Sequence, residues 1–534
     1  MRMVTVTAGL ALVAGLLAVP AAQAADPAPQ PPASPAATGN VCLDPDIVAA
    51  LVGKAPGDLL APPQDVTTES GLVYGRLYRM AYATTGDAGS VVASCGLVAV
   101  PPRTSLTSVI AWAHGTVGLK QVCQPSMNPA GFVAPIPSGP QRTGQLVTML
   151  RSGAAVTATD YPSQGMGSDQ LQRYVLGVAE GVAVIDSARV LTRNPAAFGL
   201  APVPPAAELP LIAWGHSQGG GSALWAGQLA RQYLALHDDS TLNLAGVAAL
   251  APATQLTTSP GQPANLIGYH LGDRAIYNRD PGVGVPFPLG SALFSFVTAA
   301  WGEVRDATSG PLPFGPTPSV SPAAVLTTDG LQTAPVVAGS CLAGRDLVTV
   351  ALATAKYLDP DRARMFQAPF AGAKVNGRWT GAIDQTCADP SGAGQAVQDW
   401  CAWMQFHMPG PYGVNDYSKV PVDNSGETVP VYLAQGRDDR IIWCVDGTGP
   451  VGQRSCLTAQ FYASMESSYC PRQQSLDVDY FAGINHLQVP AAAATNRRTG
   501  AYAGSPVDRF MTGAITGTLP RTCTVHNLGN PLPQ

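Results

Sequence analysis

Residues 209–236 read LPLIAWGHSQGGGSALWAGQLARQYLAL, and this stretch decides the fold. Leu209–Trp214 is a short apolar run typical of a strand buried on both faces, and Gly219–Leu236 has the composition of a helix. Between them stands Gly215-His216-Ser217-Gln218-Gly219, a G-x-S-x-G pattern at a strand-to-helix turn. Such a turn holds a serine hydroxyl out of the sheet, and its glycines make room where backbone segments crowd together. The pattern favours Ser217 as a nucleophile over an ordinary serine in a glycine-rich turn.

Other short apolar runs alternate with helical stretches on both sides of this turn. The strand-like runs are Val73–Ala83, Ser90–Val100, Ser108–Ala113, Ala154–Asp160, Leu242–Leu250, Val429–Ala434 and Leu476–Phe481, and a further helix is predicted over Arg173–Arg193. The first two runs, joined by a polar turn, indicate an antiparallel pair. Apolar strands with helices between them predict a parallel sheet covered on both faces. We therefore predict an α/β fold of the α/β-hydrolase type, with its site beyond the carboxyl ends of the strands.

One long gap interrupts this rhythm. About 180 residues separate Leu250 from Val429, whereas a βαβ unit needs only about 30. We interpret residues 261–419 as a helical cap inserted into a core formed by 41–260 and 420–534. Its predicted helices are Ser291–Val304, Asp346–Leu358 and Gln395–His407, and they are apolar enough to require packing over the sheet.

The amino terminus indicates export. Residues 1–24 combine Arg2, an uncharged apolar run and the A-x-A sequence Ala22-Gln23-Ala24, as a cleavable signal peptide does. The alternative is a membrane anchor, but Pro20 and the small-residue site argue against it. Residues 25–40 are an Ala/Pro-rich linker. We predict a secreted chain with no membrane span after cleavage.

Ten cysteines agree with an oxidising compartment, where up to five disulfides can form. The sequence does not choose among the possible pairings, although Cys444 with Cys456 would close a short loop. No C-x-x-C pair occurs, so we expect no zinc site, and nothing in the sequence requires another metal or a cofactor.

Composition excludes several classes of protein. The chain holds 57 glycines and 49 prolines, about 20% of its residues against an average near 12%. Apolar residues make up 46% and charged residues 12%, with a formal net charge of −5 and no basic run. Disorder, a coiled coil and nucleic-acid binding are therefore excluded. The remaining class is a large globular protein with many loops, which we predict to be a monomer.

A serine nucleophile needs a base, and in this fold class the partners follow it in the order acid, then histidine. His486 follows the last predicted strand and is our candidate for the base. Asp439 follows the strand before it and is our candidate for the acid, favoured over Asp438. The alternative for His486 is an ordinary loop histidine, and the alternatives for either aspartate are a solvated charge or a partner of Arg437 or Arg440. His526 is expected to be structural, and His114 and His216 are expected to shape the loops near Ser217.

An oxyanion hole needs two backbone N–H groups aimed at the developing charge. The residue after the nucleophile, Gln218, supplies one. The loop after Ser108–Ala113 offers the second, from Gly115 or Thr116. The alternative for this loop is a plain turn.

Together these segments resemble the secretory lipase family, which includes fungal lipase-A-type enzymes and exported bacterial relatives. The resemblance runs from about Leu43 to Gly517 and is carried in order by the following segments: Arg79–Tyr82, Val98–Pro101, His114–Thr116, Cys123–Ser126, Asp160-Tyr161, Gly165–Gly167, Tyr174 with Gly177 and Gly181, Gly215–Gly219, Gly246–Pro252, Asp439 and His486. It implies an α/β-hydrolase fold with a helical cap and hydrolysis of lipid-type carboxylic esters. It also supports Asp439 as the acid.

We therefore expect a secreted serine ester hydrolase acting on acylglycerols or similar fatty-acyl esters, met as small molecules or at a lipid interface. A secreted short-chain or polyester esterase, a peptidase or amidase, an acyltransferase and a binding protein on an inactive hydrolase fold remain alternatives. A group of mostly aromatic side chains in the predicted cap either lines an acyl site or forms the core of the cap. Four of them recur at helical spacing, Trp400, Trp403, Met404 and His407, and the others are Phe294, Phe296 and Trp301.

Overall fold

The computed structural model describes residues 39–133, 142–162, 171–204, 207–257, 289–355, 365–371, 374–375, 378–379, 386–445 and 456–532. The predicted signal peptide, most of the linker and the start of the predicted cap lie outside these residues. Ala36–Gln534 forms one unit by its internal contacts, so the cap boundaries at 261 and 419 stay a prediction.

Ten strands form the central sheet. They are β1 (Gln64–Asp65), β2 (Arg76–Thr85), β3 (Val91–Val100), β4 (Ser108–Ala113), β5 (Ala154–Thr159), β6 (Leu209–His216), β7 (Leu242–Leu250), β8 (Val431–Gly436), β9 (Leu476–Phe481) and β10 (Cys523–Leu528). Their spatial order is β1-β2-β3-β5-β4-β6-β7-β8-β9-β10. The first three strands and the β3–β5 pair are antiparallel, and all pairs from β5 to β10 are parallel. The predicted opening hairpin and parallel sheet are both present.

The apolar runs of the central strands follow from burial on both faces. In β4 the side chains of Val109, Ala111 and Ala113 belong to one core, and those of Ile110 and Trp112 belong to the other. The alternation follows from the two-residue period of a strand. One continuous apolar run thus serves two hydrophobic layers.

Nine helices of eleven or more residues are described. They are α1 (Arg142–Ser152), α2 (Gly177–Arg193), α3 (Gln218–Leu236), α4 (Leu289–Gly302), α5 (Thr328–Ala338), α6 (Gly344–Ala355), α7 (Gln395–Phe406), α8 (Leu457–Tyr469) and α9 (Pro506–Thr516). Shorter helices cover Thr67–Ser70, Pro129–Val133, Ala368–Ala371 and Val489–Ala493. Helices α2 and α3 pack in one core, and α1 and α9 pack in the other. Among the described residues, no helix combines the length and apolar character that a membrane crossing requires.

Helices α4–α7 come from the segment predicted as a cap. Trp301 of α4 and Trp400 of α7 stack with ring centroids 5.3 Å apart, and Phe294 and Trp403 pack beside them. These four side chains are fully buried. Of the two roles considered from the sequence, an acyl site or the core of the predicted cap, this packing agrees with the second.

Six of these elements were not predicted from the sequence, namely β1, β10, α1, α5, α8 and α9. Leu476–Phe481 was expected to be the last strand, but β10 follows and pairs with it in parallel. Most of β10 is exposed or half-exposed, so it lacks the apolar run that marks a buried strand. Strand β1 is two residues long, and α5 contains Pro335, which weakens its helical signal.

Five disulfides use all ten cysteines: Cys42–Cys95, Cys123–Cys341, Cys387–Cys401, Cys444–Cys456 and Cys470–Cys523. The predicted Cys444–Cys456 pair is confirmed. Three of the other pairs, Cys42–Cys95 among them, join residues separated by 53 or 218 positions. Cys123–Cys341 connects the loop after β4 to the segment between α5 and α6, and Cys470–Cys523 connects the end of α8 to β10.

Candidate active site

Ser217 stands at the turn between β6 and α3 with φ 59° and ψ −121°, a backbone conformation rare for any residue with a side chain. Its N–H donates to the carbonyl of Leu250 on β7 at 2.9 Å. Its own carbonyl accepts from the N–H of Ala253 at 3.0 Å. Neighbouring backbone therefore holds the strained serine in place from both sides.

The two outer glycines of the pattern are required by close backbone contact. A Cβ on Gly215 would stand 2.0 Å from the carbonyl oxygen of Gly219, and a Cβ on Gly219 would stand 1.9 Å from that of Ala113. No side chain fits at either position. The G-x-S-x-G spacing thus follows from the crossing of β6, β4 and the first turn of α3.

Asp439 and His486 meet beyond the ends of β8 and β9. The Oδ2 atom of Asp439 lies 2.7 Å from Nδ1 of His486. Both side chains are buried, Asp439 completely. This geometry fixes the orientation of the imidazole and leaves Nε2 for a second partner.

The carboxylate of Asp439 is held by three further donors. Its Oδ1 accepts from the backbone N–H groups of Ile441 and Ile442 at 2.8 and 2.9 Å, and its Oδ2 accepts from Gln435 Nε2 at 2.8 Å. The neighbouring Asp438 is exposed. The loop therefore turns Asp439 inward and Asp438 towards solvent.

His216 and His486 stand side by side. The Nε2 atom of His216 lies 3.0 Å from the carbonyl oxygen of His486, and their ring centroids are 4.7 Å apart. Burial holds the pKa of His216 well below its usual range, with the adjacent His486 acting in the same direction. His216 thus links the nucleophile turn to the histidine loop as a neutral ring.

The loop after β4 approaches the nucleophile. A Cβ built on Gly115 would lie 3.5 Å from Cβ of Ser217. The hydroxyl of Tyr161 donates to the carbonyl of His114 at 2.8 Å, and Thr116 Oγ1 lies 2.9 Å from the hydroxyl of Tyr174. Burial lowers the pKa of His114 to about 4, so this ring is neutral near pH 7. The loop is therefore fixed on both sides of Gly115.

Gln218 opens α3, and its side chain donates to Oε1 of Glu180 at 2.6 Å. Glu180 is buried in the first turn of α2, and burial raises its pKa to about 7. The sequence analysis assigned no role to Glu180. Its signal was a carboxylate inside the apolar run Gly177–Val184, which needs a partner once buried.

A second buried carboxyl lies at the end of β5. Asp160 accepts from the hydroxyl and the backbone N–H of Ser126, the latter at 3.0 Å. Burial raises its pKa to about 6, and Arg79, which donates to the carbonyl of Ser126, opposes this shift. This group anchors the segment that follows the Gly115 loop.

The structure thus brings Gly115 and Gln218 to the turn of Ser217, and it brings Asp439 into contact with His486. Thr116 lies in the same loop as Gly115, with its hydroxyl turned to Tyr174. Within the described residues, no three His, Cys, Asp or Glu side chains are grouped as metal ligands.

Residues 142–261, which include the nucleophile turn, match the model of the secretory lipase family. The resemblance to this family is confirmed. With the fold, it defines the class of the protein: an α/β hydrolase that acts on carboxylic esters, as lipases and esterases do.

Two solved structures of one lipase give the same architecture. Lipase A from Candida antarctica in its closed state superposes with a TM-score of 0.53 at 15% identity, covering 91% of this chain and 88% of the lipase. A second structure of that lipase gives a TM-score of 0.53 at 14% identity, covering 92% of this chain and 90% of the lipase. The rice cell wall degrading esterase LipA from Xanthomonas oryzae gives a TM-score of 0.45 at 15% identity, covering 87% of this chain and 97% of the esterase. A comparison with curated protein sequences finds no match.

Proposed function

We propose that Ser217, Asp439 and His486 form the catalytic triad of a secreted carboxylic-ester hydrolase that acts on acylglycerols or similar fatty-acyl esters. The observation that carries this proposal is the 2.7 Å contact between Asp439 and His486. The strained backbone of Ser217 also supports the proposal, because strained residues cluster at active sites, where the surrounding contacts hold them in place.

In the first half of the reaction, Ser217 Oγ attacks the ester carbonyl carbon while His486 Nε2 accepts the hydroxyl proton. The tetrahedral intermediate then collapses, the bond to the alcohol oxygen breaks, and His486 returns the proton to the leaving alcohol. The product is an acyl ester of Ser217. Asp439 stays ionised and stabilises the transient imidazolium.

In the second half, a water molecule gives a proton to His486 and attacks the acyl carbonyl. Collapse of this second intermediate breaks the bond to Ser217 Oγ, which recovers the proton from His486. The free acid leaves, and the triad is restored. No redox step or cofactor is involved.

The oxyanion of each intermediate would be stabilised by the backbone N–H of Gln218 and by one from Gly115 or Thr116. The nearness of Gly115 to Ser217 supports this assignment. Because the donors are backbone groups on fixed turns, they need no rearrangement when the charge develops.

A short-chain or polyester esterase is the second candidate. It is favoured by the burial of Trp301, Trp400 and Trp403 in the cap core, which removes them as an acyl-chain surface. Fatty-acyl specificity therefore rests on the family match.

A series of p-nitrophenyl esters from two to sixteen carbons tests this proposal with wild type and Ser217→Ala side by side. We expect Ser217→Ala to lose at least about 10³-fold in kcat, because no other group forms the acyl-enzyme. Wild-type activity that peaks at long chains supports a lipase, and a peak at two carbons supports the short-chain esterase. Wild-type kcat in Ser217→Ala would exclude Ser217 as the nucleophile.

The protein for this assay is collected from the culture medium of an exporting host. A mature chain that begins at Ala25 supports export with cleavage after Ala24. An intact Met1 in the cytoplasm contradicts it. Size-exclusion chromatography of the same sample tests the proposed monomer.

A further inference from the structure

Glu180 is a buried carboxyl that the proposed reaction does not use. Only 2% of its surface is exposed, and among the described residues its hydrogen-bond partners are neutral groups. A buried carboxylate without a cation is costly, so its place in the structure requires an explanation.

Its two oxygens connect the starts of two helices. Oε2 accepts from the hydroxyl of Ser222 at 2.7 Å, and Oε1 accepts from the side chain of Gln218 at 2.6 Å. Glu180 lies in the first turn of α2, and both donors lie in the first turns of α3. The positive ends of two helix dipoles therefore face this carboxyl.

Close packing of α2 on α3 brings these groups together. A Cβ on Gly177 would stand 2.0 Å from Nε1 of Trp225, and one on Gly181 would stand 2.9 Å from the backbone nitrogen of Ala226. Gly177 and Gly181 are both among the residues that carry the family resemblance in the sequence. Their role is to let Glu180 reach Gln218.

The third donor, the backbone N–H of Val175, connects Glu180 to the loop on the other side of the candidate oxyanion site. The N–H of Val175 donates to Oε1 of Glu180 at 2.7 Å, and Val175 has φ 54°. The preceding residue, Tyr174, contacts the hydroxyl of Thr116 at 2.9 Å. One carboxyl thus connects Gln218 to the Gly115–Thr116 loop through the Tyr174–Val175 corner.

We propose that Glu180 is a positioning residue that sets the relative placement of the two oxyanion donors, Gln218 on α3 and the Gly115–Thr116 loop after β4. This inference rests on the proposed function. Glu180 does not touch the substrate; it acts through the side chain of Gln218 and through the corner that holds Thr116. A role limited to joining α2 and α3 would affect stability and leave the oxyanion site unchanged.

The test compares Glu180→Ala with Glu180→Gln on a soluble p-nitrophenyl ester. We expect Glu180→Ala to lower kcat about 10- to 100-fold with KM within about twofold, because misplaced donors weaken the transition state more than the ground state. We expect Glu180→Gln to stay within about threefold of wild type, because its side-chain oxygen accepts from the same two donors and its amide can donate to Ser222. Asp479→Asn, a buried carboxyl on β9 bonded to Tyr432, is the matched control and should keep wild-type kcat.

Affinity for a phenylboronic acid gives a readout of the oxyanion site itself. The boronate adduct of Ser217 carries an oxygen where the oxyanion forms, so Glu180→Ala should weaken its binding by about the factor lost in kcat. Folded Glu180→Ala with wild-type kcat would overturn the proposal. So would a kcat loss without a loss of boronate affinity, or an equal loss in Asp479→Asn.

Gln218→Met keeps the test valid if Glu180→Ala does not fold. It keeps the backbone N–H and Glu180 but removes the bond between the two side chains, and we expect kcat to fall with KM retained. Where Glu180→Ala does fold, kcat of the double variant Glu180→Ala with Gln218→Met should be no lower than that of Glu180→Ala alone, because both changes break one connection. Wild-type kcat in Gln218→Met, or additive losses, would overturn the proposal. If Ser217→Ala is inactive while folded Glu180→Ala is fully active, only this inference fails; if Ser217→Ala is active, the proposed function itself fails.

Discussion

Strained backbone concentrates around Ser217. Of the seven non-glycine residues with positive φ among those described, four follow strands β5, β6 and β7 or precede α2: Tyr161, Val175, Ser217 and Ala251. Tyr161 and Val175 form hydrogen bonds that fix the two sides of the candidate oxyanion site. Strain of this kind costs about 1–3 kcal/mol per residue and persists only where surrounding contacts hold it.

At the residue scale, Asp439 and Asp438 form a natural pair of variant and control. We expect Asp439→Asn to lower kcat about 10³- to 10⁴-fold, because an amide no longer fixes the tautomer of His486 or stabilises its charged form. Asp438→Asn should stay within about twofold, since its side chain is exposed and its backbone N–H still donates to Ile484. Steady-state kinetics on one ester measure both.

The reverse order of effects would make Asp438 the acid. Small and equal effects of the two substitutions on kcat would show that the catalytic acid does not lie in this loop. Circular dichroism of both variants distinguishes a catalytic loss from a folding loss.

At the element scale, the loop after β4 is bonded to the segment between α5 and α6, which lies within the predicted cap. The Cys123–Cys341 disulfide joins them, and the N–H of Leu342 donates to the carbonyl of Val117 at 2.8 Å. Gly118 has φ 125°, and a Cβ there would stand 2.9 Å from Cα of Cys341. The segment at Cys341 and Leu342 therefore packs directly against the loop that carries Gly115 and Thr116.

Replacing Cys123 and Cys341 together by Ser should lower both stability and kcat. The disulfide spans 218 residues, which corresponds to at most about 5 kcal/mol of chain entropy. We expect kcat to fall about tenfold, because the loop proposed to carry the second oxyanion donor becomes less well positioned. Thermal unfolding and steady-state kinetics below the transition measure the two effects separately.

The matched control is Cys470→Ser with Cys523→Ser. This disulfide spans 53 residues, corresponds to at most about 4 kcal/mol, and connects α8 to β10 without a contact to the oxyanion loop. It should lower the unfolding temperature and leave kcat unchanged. A similar kcat in both double variants would contradict the clamp.

Some strands and helices could be predicted from the sequence and others could not. Strands β4, β7 and β9 have the predicted limits, because buried strands require unbroken apolar runs and polar turns end them. Strands β1 and β10 and helices α1, α5, α8 and α9 were missed. Edge strands bury little surface, and a proline inside a helix contradicts local propensity until tertiary contacts outweigh it.

At the scale of the whole molecule, His407, at the end of α7 in the predicted cap segment, contacts both α2 and α3. Its Nδ1 accepts from the N–H of Gly177 on α2 at 3.1 Å, and its carbonyl accepts from Nε1 of Trp225 on α3 at 3.0 Å. Trp301, Trp403 and Phe406 surround the ring. Burial lowers the pKa of His407 to about 3.

Acid should therefore destabilise the fold through His407. Below about pH 6.5 the unfolded chain takes up a proton at this residue while the folded chain does not, so stability falls as pH falls from 6.5 towards 3. By pH 5 the loss amounts to about 2 kcal/mol. We expect His407→Asn to lose about 2 kcal/mol less than wild type between pH 7.5 and pH 5 in denaturant unfolding.

Trp301→Phe serves as the control, since it disturbs the same aromatic cluster without removing a titrating group. It should lower stability by a similar amount at both pH values. Parallel pH dependences of wild type and His407→Asn would show that His407 does not couple acid to unfolding.

The sequence by itself determined the class of this protein and the order of its candidate residues. An apolar strand, a G-x-S-x-G turn and a helix are local features, and the spacing of Asp439 and His486 after later strands follows from the regular βα rhythm. Their catalytic roles stay predictions. Only the tertiary structure decided the partners of the eight cysteines outside the Cys444–Cys456 pair, the inward turn of the Asp439 side chain, the burial of the aromatic residues in the predicted cap and the place of Glu180. Each of these depends on contacts between residues far apart in the chain, and local pattern carries no record of such distances.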